Sequence, residues 1–189
     1  MRNDECQKTP PPIDIPVRIE IGGGTRNRGP GWVNVDRCPE ADIRCDLDVT
    51  PWPLADGSVD ELYTAHCIEH VKCPISFLRE VARICRVGAT VEVRCPDACG
   101  EMAMVAGHEH VVSIDVMRHM DSVFPETFWA GQPRRLKLLS IEPGCDDFWF
   151  PMARANPLFK AWSDADILTW LPRTRHENRF HLRVIECTL

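Results

Sequence analysis

The stretch that decides the fold is Val17-Arg18-Ile19-Glu20-Ile21-Gly22-Gly23-Gly24. It is a short β-branched run that stops abruptly at three glycines, the pattern of a strand feeding a tight turn. Glycine has no Cβ and tolerates positive φ, so such a turn lets the backbone approach a ligand closely, although structural turns use Gly-Gly as well. Next along the chain, Trp32-Val33-Asn34-Val35 reads as a second strand that stops at Asp36. A carboxylate at a strand tip can cap a turn or accept two hydrogen bonds from a ribose diol. The loop between these strands, rich in Gly, Arg and Pro, is too short for the helix that normally crosses between parallel neighbours, so an abbreviated crossover is expected.

Ile43-Arg44-Cys45 reads as a third, brief strand, and Val59 to Ala65 as a fourth, entered through the turn Asp56-Gly57-Ser58. A helix then begins at Pro74, with Ile75, Leu78, Val81, Ala82 and Cys85 on one face and Gly88 as its C-terminal stop. Ala89 to Cys95 reads as a fifth strand ended by Pro96, Ile114 to Met120 as helical, and Leu136 to Ile141 as a strand. Phe180 to Val184 alternates apolar and polar residues as an edge-type strand does. Strands alternating with helices or loops make a mostly parallel sheet, whose ligands gather at the carboxyl ends of the strands. At a third such end Asp46, in Cys45-Asp46-Leu47-Asp48, is placed to accept the exocyclic amine of an adenine. Glycine turn, acid, acid on three strand ends is a far more specific pattern than any one of them.

Residues 17–96 resemble the core of class I S-adenosylmethionine-dependent methyltransferases. The family's acid-x-Gly-x-Gly is matched by Glu20-Ile21-Gly22-Gly23-Gly24, its ribose-holding acid by Asp36, and its adenine-contacting acid plus following residue by Asp46-Leu47. Ala65-His66-Cys67-Ile68-Glu69-His70-Val71 and Phe77 to Ile84 resemble the segment after the fourth strand, and the next helix, of the ubiquinone-biosynthesis-like branch. The resemblance implies an α/β, doubly wound, mostly parallel seven-stranded sheet with an antiparallel last strand, and S-adenosylmethionine as cofactor. It implies a cofactor site of Glu20, Gly22, Gly23, Gly24, Asp36, Asp46, Leu47 and His66. Two departures stand out. Arg86-Val87-Gly88-Ala89 replaces the usual Lys-Pro-Gly-Gly turn, and the short first crossover removes a helix N-terminus, so the amides of Gly23 to Arg26 are expected to form a nest for the cofactor instead.

Residues 1–16 hold four of the sixteen prolines and read as a flexible tail, followed by one domain over 17–189. Within it, 17–96 is expected to bind the cofactor and 97–189 to shape the acceptor pocket. Methyl transfer requires chiefly positioning and, for hydroxyl or amine acceptors, a general base. Candidate bases are His66, His70, His108 and His110, with His66 and His110 taken as catalytic; each also reads as an ordinary solvent-facing histidine. No metal is expected. Cys95, Cys99, His108 and His110 have zinc-binding chemistry without a standard spacing, and the glutamate beside His66 and His70 is misplaced for a zinc protease. Trp129, Trp149, Trp162 and Trp170 are expected to pack in the core.

The net charge of -6 and pI near 5.6 argue against nucleic acid as a substrate. The N-terminus lacks the apolar core of a secretory signal, and no run approaches the roughly 20 apolar residues of a membrane span, so a cytoplasmic protein without membrane contact is expected. Cys45, Cys67, Cys85, Cys95 and Cys187, among ten cysteines, lie in apolar segments and read as buried free thiols. The leading reading is methyl transfer to a small molecule or glycan precursor. One rival is an NAD(P)-dependent oxidoreductase, which has Asn27 where its third glycine belongs and leaves Asp46 unexplained. The other is a non-catalytic module that keeps the methyltransferase fold.

Overall fold

A computed structural model describes residues 17–98, 100–145, 152, 154–164, 166–167 and 175–188. The expected tail over 1–16, Cys99, Trp149 and Trp170 lie outside the described residues. Seven strands form one sheet: β1 (Arg18–Ile21), β2 (Trp32–Asp36), β3 (Ile43–Arg44), β4 (Val59–Ala65), β5 (Cys85–Pro96), β6 (Arg134–Cys145) and β7 (Arg175–Glu186). Their order is β3-β2-β1-β4-β5-β7-β6. From β3 to β5 every neighbouring pair is parallel, and β7 runs antiparallel between β5 and β6. This is the expected α/β architecture. The chain winds outward in both directions from the β1/β4 junction, so a switch point opens at the carboxyl ends of these two strands, where ligands of such sheets bind.

One sheet face is apolar. Ile19, Ile21, Leu62, Val91, Val93, Phe180 and Leu182 are buried there in a single cluster with the inner sides of α1 (Pro74–Ile84), α2 (Ile114–Arg118) and α3 (Pro125–Trp129). A wide π-type turn, His119–Val123, joins α2 to α3, so the helix expected to continue to Met120 changes winding at His119. Within α1, Phe77 is buried and packs edge-on against Trp52 at 5.3 Å, which turns the helix so that Ile75, expected in the core, is 40% exposed. Arg83 pins the preceding loop to α1. Its guanidinium donates to Glu80, Asp56 and the carbonyls of Trp52 and Leu54, and the two carboxylates hold it above its ordinary pKa range against the opposing effect of burial.

The opposite face is polar, with Arg18, Glu61, Glu92 and Arg94 projecting from it and the Arg28 guanidinium lying 3.5 Å from the Tyr63 ring centroid and 5.0 Å from that of Trp32. That face explains one departure from expectation. The alternation in Phe180 to Val184 belongs to an interior strand, because His181 and Arg183 point to the polar face while β5 and β6 pair on either side. A second departure concerns Gly88. α1 ends at Ile84 and β5 starts at once, with Cys85 paired to Val59 before the register shifts to Glu61↔Thr90. Gly88, at φ +91, sits in the bulge that absorbs the extra residues and is not a helix stop.

Candidate functional site

The site is built at the tips of β1, β2 and β4. Gly22 follows β1 at φ +76, and its N–H donates to the Val35 carbonyl at 2.9 Å. A Cβ here would lie 2.5 Å from Cys67 Sγ, so backbone conformation and space both demand glycine. The loop that follows has no helix to hold it. Asn34 of β2, only 2% exposed, replaces one: its Oδ1 accepts the Gly23 N–H at 3.2 Å, and its Nδ2 donates to the carbonyls of Gly24 at 2.8 Å and Arg26 at 3.3 Å. The Gly24 N–H donates to Asp36 Oδ2 at 2.9 Å, and the Arg26 N–H to the Gly23 carbonyl at 3.2 Å. The amides of Gly23, Gly24 and Arg26 are therefore engaged within the protein and do not form the expected nest.

Asp36 is aimed by two amides, Gly24 N–H on Oδ2 and Cys38 N–H on Oδ1, each at 2.9 Å. Each oxygen keeps a second lone pair, enough to accept a diol. Asp46 stands exposed after β3 with Oδ1 accepting the Asp48 N–H at 3.0 Å, while Asp48 Oδ1 accepts the Lys72 N–H at 2.8 Å.

His66 closes β4 at φ +50, and no other non-glycine among the described residues has positive φ. Its N–H donates to the Arg94 carbonyl at 3.0 Å, and its ring lies between two acids, Nδ1 3.4 Å from Glu69 and Nε2 3.4 Å from Glu177. Glu69 chiefly, with Glu177, raises the imidazole pKa above its ordinary value against the opposing effect of burial. A carboxylate faces each nitrogen at an ion-pairing distance, which favours the protonated ring. The segment beyond it is clamped to residues 107–110: Glu109 and His110 N–H groups donate to the Glu69 carbonyl, at 2.8 and 3.1 Å, and His70 Nδ1 lies 3.0 Å from the Gly107 carbonyl oxygen.

These groups surround one open cleft of about 420 Å3, lined by Gly22, Asp36, Arg37, Cys45, Asp46, Leu47, Asp48, His66, Cys67, His70, Val71, Gly107 and Glu109. Of the residues expected at a cofactor site, Gly22, Asp36, Asp46, Leu47 and His66 thus meet in one cavity. Glu20 does not line it; its Oε2 accepts the Arg28 N–H at 2.8 Å. Gly23 and Gly24 stand behind the wall, held by Asn34 and Asp36. His110 also lies outside the lining, its Nε2 2.9 Å from the Lys72 carbonyl oxygen. Arg37, Asp48, Cys67 and Glu109 are among the lining residues that sequence reasoning missed. Asp48 had a usable signal, since it follows Asp46 at the spacing of an Asx turn. Cys67 is buried, which pushes its thiol up to about 12 and leaves it inert.

A methyltransferase-domain family model matches residues 33–93. No curated protein matches the sequence. Among solved structures, the chain is similar to an S-adenosylmethionine dependent methyltransferase from Mesorhizobium loti, with TM-score 0.53 and 13% identity over 90% of this chain and 93% of that one. It is also similar to geranyl diphosphate C-methyltransferase from Streptomyces coelicolor, solved with Mg2+, geranyl diphosphate and S-adenosyl-L-homocysteine, with TM-score 0.52 and 13% identity over 88% and 72%. A third similar structure is the [4+2]-cyclase SpnF, with TM-score 0.55 and 12% identity over 90% and 75%. Such identities establish the fold alone. Residues 33–93 match a methyltransferase-domain family, and the chain shares its fold with an S-adenosylmethionine dependent methyltransferase.

Proposed function

We propose that the protein transfers a methyl group from S-adenosylmethionine to a small molecule or glycan precursor, with Gly22, Asp36, Asp46 and Leu47 holding the cofactor. One observation carries this reading: three successive strand ends place a glycine and two carboxylates around a single cavity of about 420 Å3, within the range of nucleotide-sized pockets. Its wall holds Asp36, Asp46, Asp48 and Glu109 against one guanidinium, Arg37. That balance suits a sulfonium cation and repels a pyrophosphate. A dinucleotide site also needs free loop amides and a helix N-terminus after the first strand, and here Gly23 and Gly24 N–H are engaged by side chains and no helix joins β1 to β2. The chemistry of the cleft thus favours S-adenosylmethionine over NAD(P). Of the two histidines expected to act on the acceptor, His66 is the one at the cleft.

Isothermal calorimetry on the full chain tests the reading. S-adenosylmethionine is expected to bind at one per chain, with NAD and NADP giving no heat, and Asp36→Asn and Asp46→Asn are each expected to weaken binding about tenfold, the value of one charge-assisted hydrogen bond. Absence of S-adenosylmethionine binding would falsify it. The engaged loop amides favour a second reading, a module that binds the cofactor without turning it over. Release of labelled methyl groups to any member of an acceptor library excludes that alternative.

A further inference from the structure

Behind the cleft wall lies a carboxylate that faces His66 but is not satisfied by it. Glu69 belongs to the turn after β4 and is 1% exposed, yet neither carboxylate oxygen accepts a hydrogen bond from any of the described residues. Among the described residues it pairs with His66, whose Nδ1 lies 3.4 Å from Oε1, an ion-pairing distance without hydrogen-bond geometry. A buried carboxylate with so little compensation is expensive unless a positive charge sits beside it. His70 and His108 flank it, and one donor atom from each of the three residues falls within 4.8 Å of the others.

We propose that Glu69, His70 and His108 bind a divalent transition-metal cation of the Zn2+ or Co2+ type. The ring chemistry identifies the donors. His70 Nδ1 lies 3.0 Å from the Gly107 carbonyl oxygen, so it carries the proton and leaves the Nε2 lone pair free; ligating histidines are ordinarily oriented by such a bond through the other nitrogen. His108 Nδ1 is buried and has no hydrogen-bond partner among the described residues, which leaves its lone pair as that ring's metal ligand. The two imidazoles meet nearly perpendicular, 82° between planes with centroids 4.7 Å apart. The frame is fixed before any metal arrives, because both Glu109 and His110 N–H groups donate to the Glu69 carbonyl. Two imidazoles and one carboxylate suit zinc and its neighbours better than Mg2+ or Ca2+, which prefer all-oxygen shells. Three protein ligands leave at least one coordination position for water or a substrate oxygen.

The test uses the full chain stripped with a chelator and titrated with Co2+. The expected result is one Co2+ per chain, with a visible ligand-field absorption that Zn2+ abolishes and Mg2+ does not, and a rise in Tm on binding. Glu69→Gln and His108→Asn are each expected to weaken Co2+ binding by about 100-fold or more, whereas His66→Gln changes it by only a few-fold. Stripped Glu69→Gln is expected to melt no lower than the stripped parent, since an uncompensated buried charge has been removed; a lower Tm would mean a purely structural carboxylate and would overturn the proposal. So would the absence of a saturable spectrum, or stoichiometric binding that survives both ligand substitutions. S-adenosylmethionine calorimetry on the same stripped protein reads the cofactor site separately, so the metal site stands or falls by itself.

Discussion

Cys67 and Cys73 flank the same turn and have opposite chemistry. Burial pushes Cys67 up to about 12 and Cys85 likewise, and it raises Cys95 as well. Cys73 is exposed, and the Ser76 hydroxyl donates to its sulfur at 3.2 Å, so its thiolate is stabilised and its pKa falls below the ordinary 9.0. Among the described thiols Cys73 is expected to react first with iodoacetamide, at a rate that rises with pH and reaches half its maximum below pH 9.0. Ser76→Ala should move that midpoint upward, and mass spectrometry of timed samples reads both effects. The buried thiols were legible as core filler from their apolar neighbours: Cys45, Cys67, Cys85 and Cys95 are buried, and Cys187 is half-buried. The reactivity of Cys73 was not legible, because it depends on a hydroxyl brought into place by the first turn of α1.

At the scale of elements, the connection from β1 to β2 stands on one side chain. Asn34 makes three hydrogen bonds to the loop from a nearly solvent-free position. Asn34→Ala leaves a buried amide and two carbonyls with lost partners, and is expected to cost about 2–3 kcal/mol, read as a lower urea midpoint at unchanged m. Asn34→Asp should cost more, since it aims a carboxylate oxygen at the carbonyls of Gly24 and Arg26. Both variants are expected to weaken cofactor binding, because Gly24 in turn orients Asp36. The short crossover itself was readable from loop length, as were all seven strands and α1. Its consequence was not: a polar residue in the middle of a β-branched strand carries no periodic signal that it faces a loop. The same blindness applies to Gly88, where glycine after a helical pattern signals a stop equally well in a helix cap and in a strand bulge.

At the scale of the whole molecule, a net charge of -6 is concentrated in part on the cleft wall, through Asp36, Asp46, Asp48 and Glu109. S-adenosylmethionine carries a sulfonium charge that S-adenosylhomocysteine lacks. Raising the salt from about 0.05 to 0.5 M shortens the screening length to a few ångströms, so affinity for the methylated form is expected to fall several-fold while that for the demethylated product changes little. Calorimetry at the two salt concentrations checks this. The convergence of Gly22, Asp36 and Asp46 was legible because strand-end positions in a parallel sheet are set by topology. The loop at 107–110 was recognised by its histidines, but its contact with the turn at Glu69 was not, since no sequence rule pairs two loops separated by α1 and β5.

The missing helix between β1 and β2 also bears on how the chain finds its shape. A helix-bearing parallel crossover closes over about 30 residues, whereas here Arg18 pairs with Trp32 across a short link and Thr90 waits for Arg183. Local closure costs less chain entropy and happens sooner. Amides of β1 and β2 should accordingly gain protection early in pulse-labelled hydrogen exchange during refolding, with the β5–β7 ladder last to zip.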